Sequence, residues 1–459
     1  MVKKNFSFNQ GLVITPIDGR NYSKTKDLSK FFSELALNKY RIKIEINYLI
    51  FLAQHKIIKE LSKKETRKLF SIAEEFGEEE FNELKKIEEK IKHDVKAIEY
   101  FIRAKLKQKK IEQLIPFINI GLTSEDINNL SYGLMLKDCR DQTIFPEIFK
   151  LIGAIKDIAL KEKRTSMLAR THGQPAVATT VGKEMINYFV RLEKQTVKIK
   201  GFIFEGKLNG AVGNHNALRI IVPEKNWLKL SSHFVSSFGL SPNLYTTQIL
   251  PYDNWLEFFG IISLVNGILT DLCINIWQYI MLEVFVQEKK EKEVGSSTMP
   301  QKINPIDFEN AEGNLQLANS LFDYFRRKLV SSRLQRDLSD STVRRSFGEA
   351  FAYSVLSWKN IGVGLSKISI NREHLQNQLD EHFEVLSEAL QTYLRWKNDG
   401  QAYERLKLLT RGKKIDKKEY LLILKELGLN KEKKLVDLTP SKYIGYAEEL
   451  VKSLSKKKI

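Results

Sequence analysis

The residues of greatest chemical promise lie between Gly295 and Pro305, which read GSSTMPQKINP. Small, polar and proline residues suit neither a helix interior nor a packed core, so this stretch is expected to form a loop over a cleft. Gly295 frees the backbone ahead of Ser296, Ser297 and Thr298, three hydroxyls in a row without a bulky anchor, which favours a mobile segment. Met299 and Asn304 each precede a proline and are biased to extended backbone, so Lys302 and Asn304 are expected to face one ligand. Asn304 and Pro305 also read as a helix cap and first helical position. The unpaired N–H groups of such a start favour a carboxylate or phosphate, unless Asp307 and Glu309 occupy that positive end themselves. A serine-rich turn between helices is the plainer reading of the hydroxyls alone.

Other stretches offer anion-binding and acid–base groups. In SSRLQRDLSDSTVRR, Arg336, Ser341 and Arg345 are spaced to converge on one anion, while Asp337 and Asp340 are salt-bridge partners within reach of Arg333 and Arg344. In ARTHGQPA, Thr171 and His172 precede a Gly-Gln-Pro turn and then a long helix, which places the imidazole at a loop–helix junction suited to a proton donor. KHDVKAIEYF sets His93, Lys96 and Tyr100 on one helical face, as a polar stripe or a catalytic group. TSEDINNL has the form of a helix entry, a hydroxyl cap and then acids, which suffices to explain Ser124 and Glu125. Asp18-Gly19 makes a turn that presents Arg20. NGAVGNHNAL and YTTQI, the latter with Gln248, have turn formation as their ordinary explanation. Of the seven histidines, His55, His233, His374 and His382 read as helix-surface or packing residues.

GSSTMPQKINP and its continuation IDFENAEGN, with TSEDINNL, RTHGQPA, GKEM, NGAVGN, TTQI and QRDLSDST, resemble the motifs of the fumarase/aspartase superfamily. Within it the chain is similar to the adenylosuccinate lyase family in its bacterial form, from about residue 14 to about residue 449. The resemblance implies a homotetrameric lyase of purine nucleotide biosynthesis that needs no metal or organic cofactor. Its expected reaction releases fumarate by β-elimination, from adenylosuccinate to give AMP and from succinyl-aminoimidazole-carboxamide ribotide to give the carboxamide. The resemblance also implies roles: Ser296 as general base, His172 as general acid, and Lys302 and Asn304 on the succinyl carboxylates. Thr123, Ser124, Thr171 and Gln248 would touch substrate, His93 and Asp94 would stand in the substrate site, and Arg20, Tyr22, Arg336, Ser341 and Arg345 would surround the phosphate. Four positions depart from the pattern. Asn21 holds the place of the family's tyrosine, with Tyr22 one later, and Ala389 replaces a proline. Gln301 replaces the histidine of MPHKxNP, and Asn119 replaces a histidine near the phosphate, keeping a donor without the charge.

The elements that must hold these groups read as helices. Prolines are absent from 176 to 222, 252 to 299 and 306 to 439, in tracts rich in Leu, Ile and Phe, so the expected fold is all-α. Its divisions are a helical domain at 1–113, a long-helix bundle at 114–366 and a small helical domain at 367–459. Several tracts are apolar on more than one face, notably from Trp255 to Val286, which points to an oligomer with helices at its centre. This agrees with the tetrameric helical core that the resemblance implies, together with active sites shared between subunits. That tract is long enough to suggest a membrane span, but Asn266, Asp271, Asn275, Gln278 and Glu283 interrupt it, and no membrane partner is expected. The start, MVKKNFSFNQG, lacks the apolar run of a secretory signal, and Cys139 and Cys273 lack disulfide or metal-ligand spacing, so a reducing cytoplasm is expected. The net charge is +18, from 74 basic and 56 acidic residues. It is spread along the chain without a nucleic-acid motif, so lysine-rich usage on solvated faces is the expected cause and no nucleic-acid partner is expected, though anionic substrates would benefit from the field. Small-molecule nucleotides are the partners that the resemblance implies. Argininosuccinate lyase chemistry would share Ser296, Lys302 and Asn304, but the arginine set and PIDGR speak against it. A non-enzymatic basic bundle is the remaining alternative.

Overall fold

The computed structural model describes residues 9–288, 298–299 and 301–455. It is 66% helical, which makes the fold all-α despite three two-stranded sheets. In chain order, the elements that matter here begin with α1 (Glu34–Gln54), α2 (Glu78–Ile91), α3 (Asp94–Gln108) and α4 (Ser124–Cys139). A hairpin, β1 (Ser166–Thr171) and β2 (Gln174–Thr180), leads into α5 (Val181–Gly201). The long helices α6 (Asp253–Met281) and α7 (Ile306–Lys328) follow, then the short α8 (Ser339–Arg344) and α9 (Phe347–Leu365).

The chain divides into two compact units, each built from three segments. The first takes Met1–Glu147, Thr196–Gly267 and Asn314–Ser357. Its helices are apolar on more than one side: α4 is buried at every position from Glu125 to Leu136, and α1 buries Ile42, Ile44, Ile46 and Tyr48 in succession. Ser33 starts α1 by accepting the Ala36 N–H at 3.1 Å. On α1, Asn38, Arg41 and Glu45 are also buried, and their spacing of three and four places them along one side of the helix. In the same unit, Asn266 of α6 donates to Asn319 Oδ1 of α7 at 3.1 Å and to Ser354 Oγ of α9 at 2.9 Å. This polar interruption of α6 therefore has its partners in protein. By length and composition α6 is the one described helix apolar enough to cross a membrane, and half of its apolar window is buried.

The second unit takes Ile148–Gln195, Ile268–Gly313 and Trp358–Ile459. Its hairpin is antiparallel, with an irregularity between Leu168 and Arg170, and Phe285–Gln287 pairs with Ile368–Ile370 in a second antiparallel ladder. Leu168 and Ala178 of the hairpin pack on Leu379 and Val385, and a separate core gathers Phe383, Leu386, Leu390, Leu424 and their neighbours. Asp271, another interruption of α6, takes a 2.6 Å ion pair from Arg191 of α5. Trp277 and Met281 of α6 are exposed on the single chain, as are Leu264 of α6 and Leu317 and Tyr324 of α7 in the first unit.

Candidate active site

In the first unit, eight of the residues singled out by the sequence line one cleft of about 1230 Å³: His93, Asp94, Thr123, Ser124, Gln248, Arg336, Ser341 and Arg345. Helix geometry puts them there. Lys92, in the left-handed region at φ 57°, ends α2 and turns the chain so that His93 caps α3. His93 thus precedes the helix instead of sharing its face with Lys96 and Tyr100. Its Nδ1 accepts the Lys96 N–H at 3.2 Å, which leaves the proton of the neutral ring on Nε2. Asp126 accepts the Thr123 N–H at 2.9 Å and so fixes the entry of α4, as a helix-entry motif should.

The arginines reach the cleft already held by carboxylates. Arg345 donates to Ser341 Oγ at 2.7 Å and pairs with Asp94 at 3.2 Å. Asp94 also takes a 2.8 Å ion pair from the buried Arg41, whose Nε donates to Asn128 Oδ1 at 2.9 Å. Burial alone would raise the Asp94 carboxyl, but Arg41, the Val95 N–H and Arg345 outweigh it and hold it at about 2. Arg336 donates to Gln248 Oε1 at 3.2 Å, and Gln248 in turn donates to the Ala211 carbonyl at 2.9 Å. Arg333 pairs with Asp337 and Arg344 with Asp340, as their spacing suggested.

Arg20 lies exposed in a turn and Tyr22 is partly buried at the start of a short helix; neither lines this cleft. Asn119 is also absent from its lining. Its Nδ2 donates instead to Glu45 Oε1 at 2.6 Å, so the departure from histidine bears on Glu45.

The second unit carries Thr171, His172, Lys302 and Asn304. His172 is exposed, but it stands at the tip of the β1–β2 hairpin and not at a loop–helix junction. His172 and Gly173 have φ of 54° and 74°, the two positive values that a tight two-residue hairpin turn requires. Helix α5 starts only at Val181. Ahead of α7 the helical hydrogen bonds begin at Pro305, whose carbonyl accepts the Glu309 N–H at 3.2 Å. Pro305, rather than Asn304, therefore occupies the cap place. Asp307 pairs with Lys367 at 2.9 Å and Glu309 accepts from Trp277 at 3.1 Å, so each acid has a side-chain partner of its own. Ser296 lies outside the described residues, as do Gly295, Ser297 and Pro300.

Beneath the cleft is a layer of buried charge that the sequence did not disclose. Glu125, fully buried, receives two hydrogen bonds from Arg344, at 2.7 and 3.1 Å, and one from the Tyr252 hydroxyl at 3.2 Å. Lys207, also fully buried, donates to Asp126 and to Asn209, each at 3.0 Å. Asp126 further accepts the N–H groups of Asn209 and Gly210, tying the NGAVGN turn to the entry of α4. The one available signal was Lys207 inside the glycine-rich run EGKLNGAVGN, whereas Arg41 stands among other charges, Lys39, Lys43 and Glu45.

Residues 19–318 match the family described as Lyase, and residues 332–444 the family described as Adenylosuccinate lyase C-terminal. The adenylosuccinate lyase of Legionella pneumophila (strain Corby) is 46% identical over 448 residues, covering 96% of this chain and 98% of its own. That of Buchnera aphidicola subsp. Schizaphis graminum is 45% identical and that of Escherichia coli (strain K12) 43%, with the same coverage. Among solved structures, a fumarate lyase from Mesorhizobium sp. BNC1 superimposes with a TM-score of 0.76 at 16% identity, covering 94% of this chain and 98% of that one. A β-carboxy-cis,cis-muconate cycloisomerase from Acinetobacter calcoaceticus does so at 0.74 and 16%, covering 94% and 98%; at that identity the likeness speaks for the fold alone. Sharing 43–46% of its residues with these lyases over nearly its whole length, the chain belongs to the adenylosuccinate lyase family, C–N lyases of the fumarase/aspartase superfamily.

Proposed function

We propose that the chain splits adenylosuccinate into AMP and fumarate, and succinyl-aminoimidazole-carboxamide ribotide into its carboxamide and fumarate. The observation that carries this reading is the near-full-length identity to proteins named adenylosuccinate lyase. The cleft of the first unit supports it, since Arg336, Arg345 and Ser341 stand around one space with the hydroxyls of Thr123 and Ser124, a set suited to a phosphate and its nucleoside.

Ser296 is the general base in this proposal. Its ionised hydroxyl takes the proton from the carbon beside a succinyl carboxylate, and the electron pair left there forms the alkene of fumarate as the C–N bond breaks and its electrons leave with the nitrogen. A serine is a poor base unless its anion is stabilised, which Lys302 and loop N–H groups in a drained cleft would provide. His172 gives the leaving nitrogen its proton, a task for which an imidazole is chemically suited. Lys302 and Asn304 hold the carboxylates, while Thr171, Gln248, Thr123, Ser124 and His93 orient the substrate. Arg20 and Tyr22 join Arg336, Ser341 and Arg345 on the phosphate, so that remote binding energy goes into alignment. Asp94, filled by Arg41 and Arg345, acts through Arg345.

The same proposal includes a soluble cytoplasmic homotetramer with domains at 1–113, 114–366 and 367–459, the exposed apolar residues of α6 and α7 covered by other subunits, and sites shared between chains. Purified protein should convert adenylosuccinate with an absorbance change and yield fumarate and AMP. Ser296→Ala and His172→Ala should each abolish this, and mixing the two variants should restore part of it. An assembled oligomer that yields neither product would overturn the reaction, and no recovery after verified subunit exchange would overturn the shared sites.

A further inference from the structure

We infer that Glu125 is a positioning residue that holds Arg336 at the wall of the cleft. This rests on the reading of that cleft as the phosphate end of the substrate site. Glu125 immediately follows Ser124 in α4 and is itself shut off from solvent. Its Oε1 receives Arg344 Nη1 at 2.7 Å, while its Oε2 receives Arg344 Nη2 at 3.1 Å and stands 3.5 Å from Arg336 Nη2.

The charge balance explains why Arg336 is drawn there. Arg344 also meets Asp340 at 3.0 Å, so two buried carboxylates share one buried cation. That leaves one negative charge uncompensated in a region where unpaired charge is costly. Arg336, whose side chain is only 17% exposed, supplies the missing positive charge from the cleft side. Gln248 Oε1 holds the same guanidinium from a second direction. With five N–H donors in a rigid fork, an arginine can keep both partners and still offer donors to a phosphate. Capping of α4 does not account for these contacts, because the entry of that helix is served by Asp126.

The test compares competitive inhibition by AMP and by adenosine in the assembled enzyme, in wild type, Glu125→Gln, Arg336→Gln and the double variant. The inhibition constant of adenosine divided by that of AMP isolates what the phosphate contributes. That ratio is expected to fall about tenfold in each single variant and no further in the double, the signature of two residues acting as one unit. Asp340→Asn removes the surplus charge without touching Arg336 and should lower the ratio in the same direction by about threefold, which keeps the test available should Glu125→Gln fail to assemble. A Glu125→Gln or Asp340→Asn enzyme that binds AMP and adenosine with the wild-type ratio, or a double variant whose losses multiply, overturns the inference. An unchanged ratio in Arg336→Gln would instead overturn the phosphate reading itself, and the inference with it.

Discussion

Replacing Glu45 by glutamine should make the folded protein less sensitive to pH. Glu45 is fully buried on α1, accepts the Asn119 amide at 2.6 Å, and leaves its second oxygen buried without a hydrogen-bond partner among the described residues. Burial dominates and pushes its carboxyl up, helped by the charge of Glu99 and opposed by the Asn119 bond and by Lys96, to about 7 from an ordinary 4.5. Such an acid binds its proton more tightly folded than unfolded. Its contribution is therefore complete below about pH 4.5 and is lost as the pH rises through 7. Fully developed, the loss is about 3 kcal/mol, at about 1.4 kcal/mol per pH unit between the two titration points. In Glu45→Gln the amide keeps an acceptor for Asn119 and cannot ionise.

The assay is the thermal midpoint at fixed protein concentration from pH 5 to pH 8.5. Wild type should lose stability steadily from pH 5 to about 7.5, whereas Glu45→Gln should lack that part of the slope and be the more stable protein at pH 8. Parallel pH profiles, or a variant less stable than wild type at pH 8, would refute the reasoning and mean that folding does not raise the Glu45 carboxyl.

Two further outcomes follow from the geometry. Lys207→Met leaves the Asp126 carboxylate buried with its three backbone N–H groups but no cation; it should cost about 3–5 kcal/mol, read as a lowered denaturation midpoint, and a neutral effect would contradict the ion pair. Gln301→His, at an exposed turn position, should leave turnover within roughly tenfold, a barrier change of about 1.4 kcal/mol, and a larger change in steady-state kcat would show that the position touches the chemistry.

What could be read in the sequence, and what could not, divides along chain separation. The long helices were legible because proline absence and apolar content are local properties, and α5, α6, α7 and α9 fall where those tracts run. The hairpin that carries His172 was not legible. Its strands are short, one is irregular at Leu168/Arg170, and its turn residues read equally well as a loop leading into α5. The members of the cleft came from motifs, and eight of them meet in the first unit. Their supports were hidden because each pairing joins distant segments: Glu125 meets Arg344 across 219 residues and Asp126 meets Lys207 across 81. Periodicity reports which face of a helix is buried, but it carries no information about what that face meets.

Those hidden pairings change how the net charge of +18 should be understood. A strongly basic chain suggests a cationic funnel for anions, yet the cleft of the first unit is nearly balanced. Five cations line it, Lys85, Lys92, Arg333, Arg336 and Arg345, against four acids, Glu88, Glu89, Asp94 and Asp337. Each of the three arginines already has a carboxylate within 4.0 Å. Under the proposed function, a phosphate arriving there would meet oriented donors instead of a large uncompensated field, and its binding would come from geometry. Lysine would serve poorly in these places, since a point-like ammonium paired to a buried carboxylate has little left to offer. A guanidinium keeps the carboxylate on one edge and presents N–H groups along another, which is why carboxylates and anion-binding groups can stand side by side in one cleft.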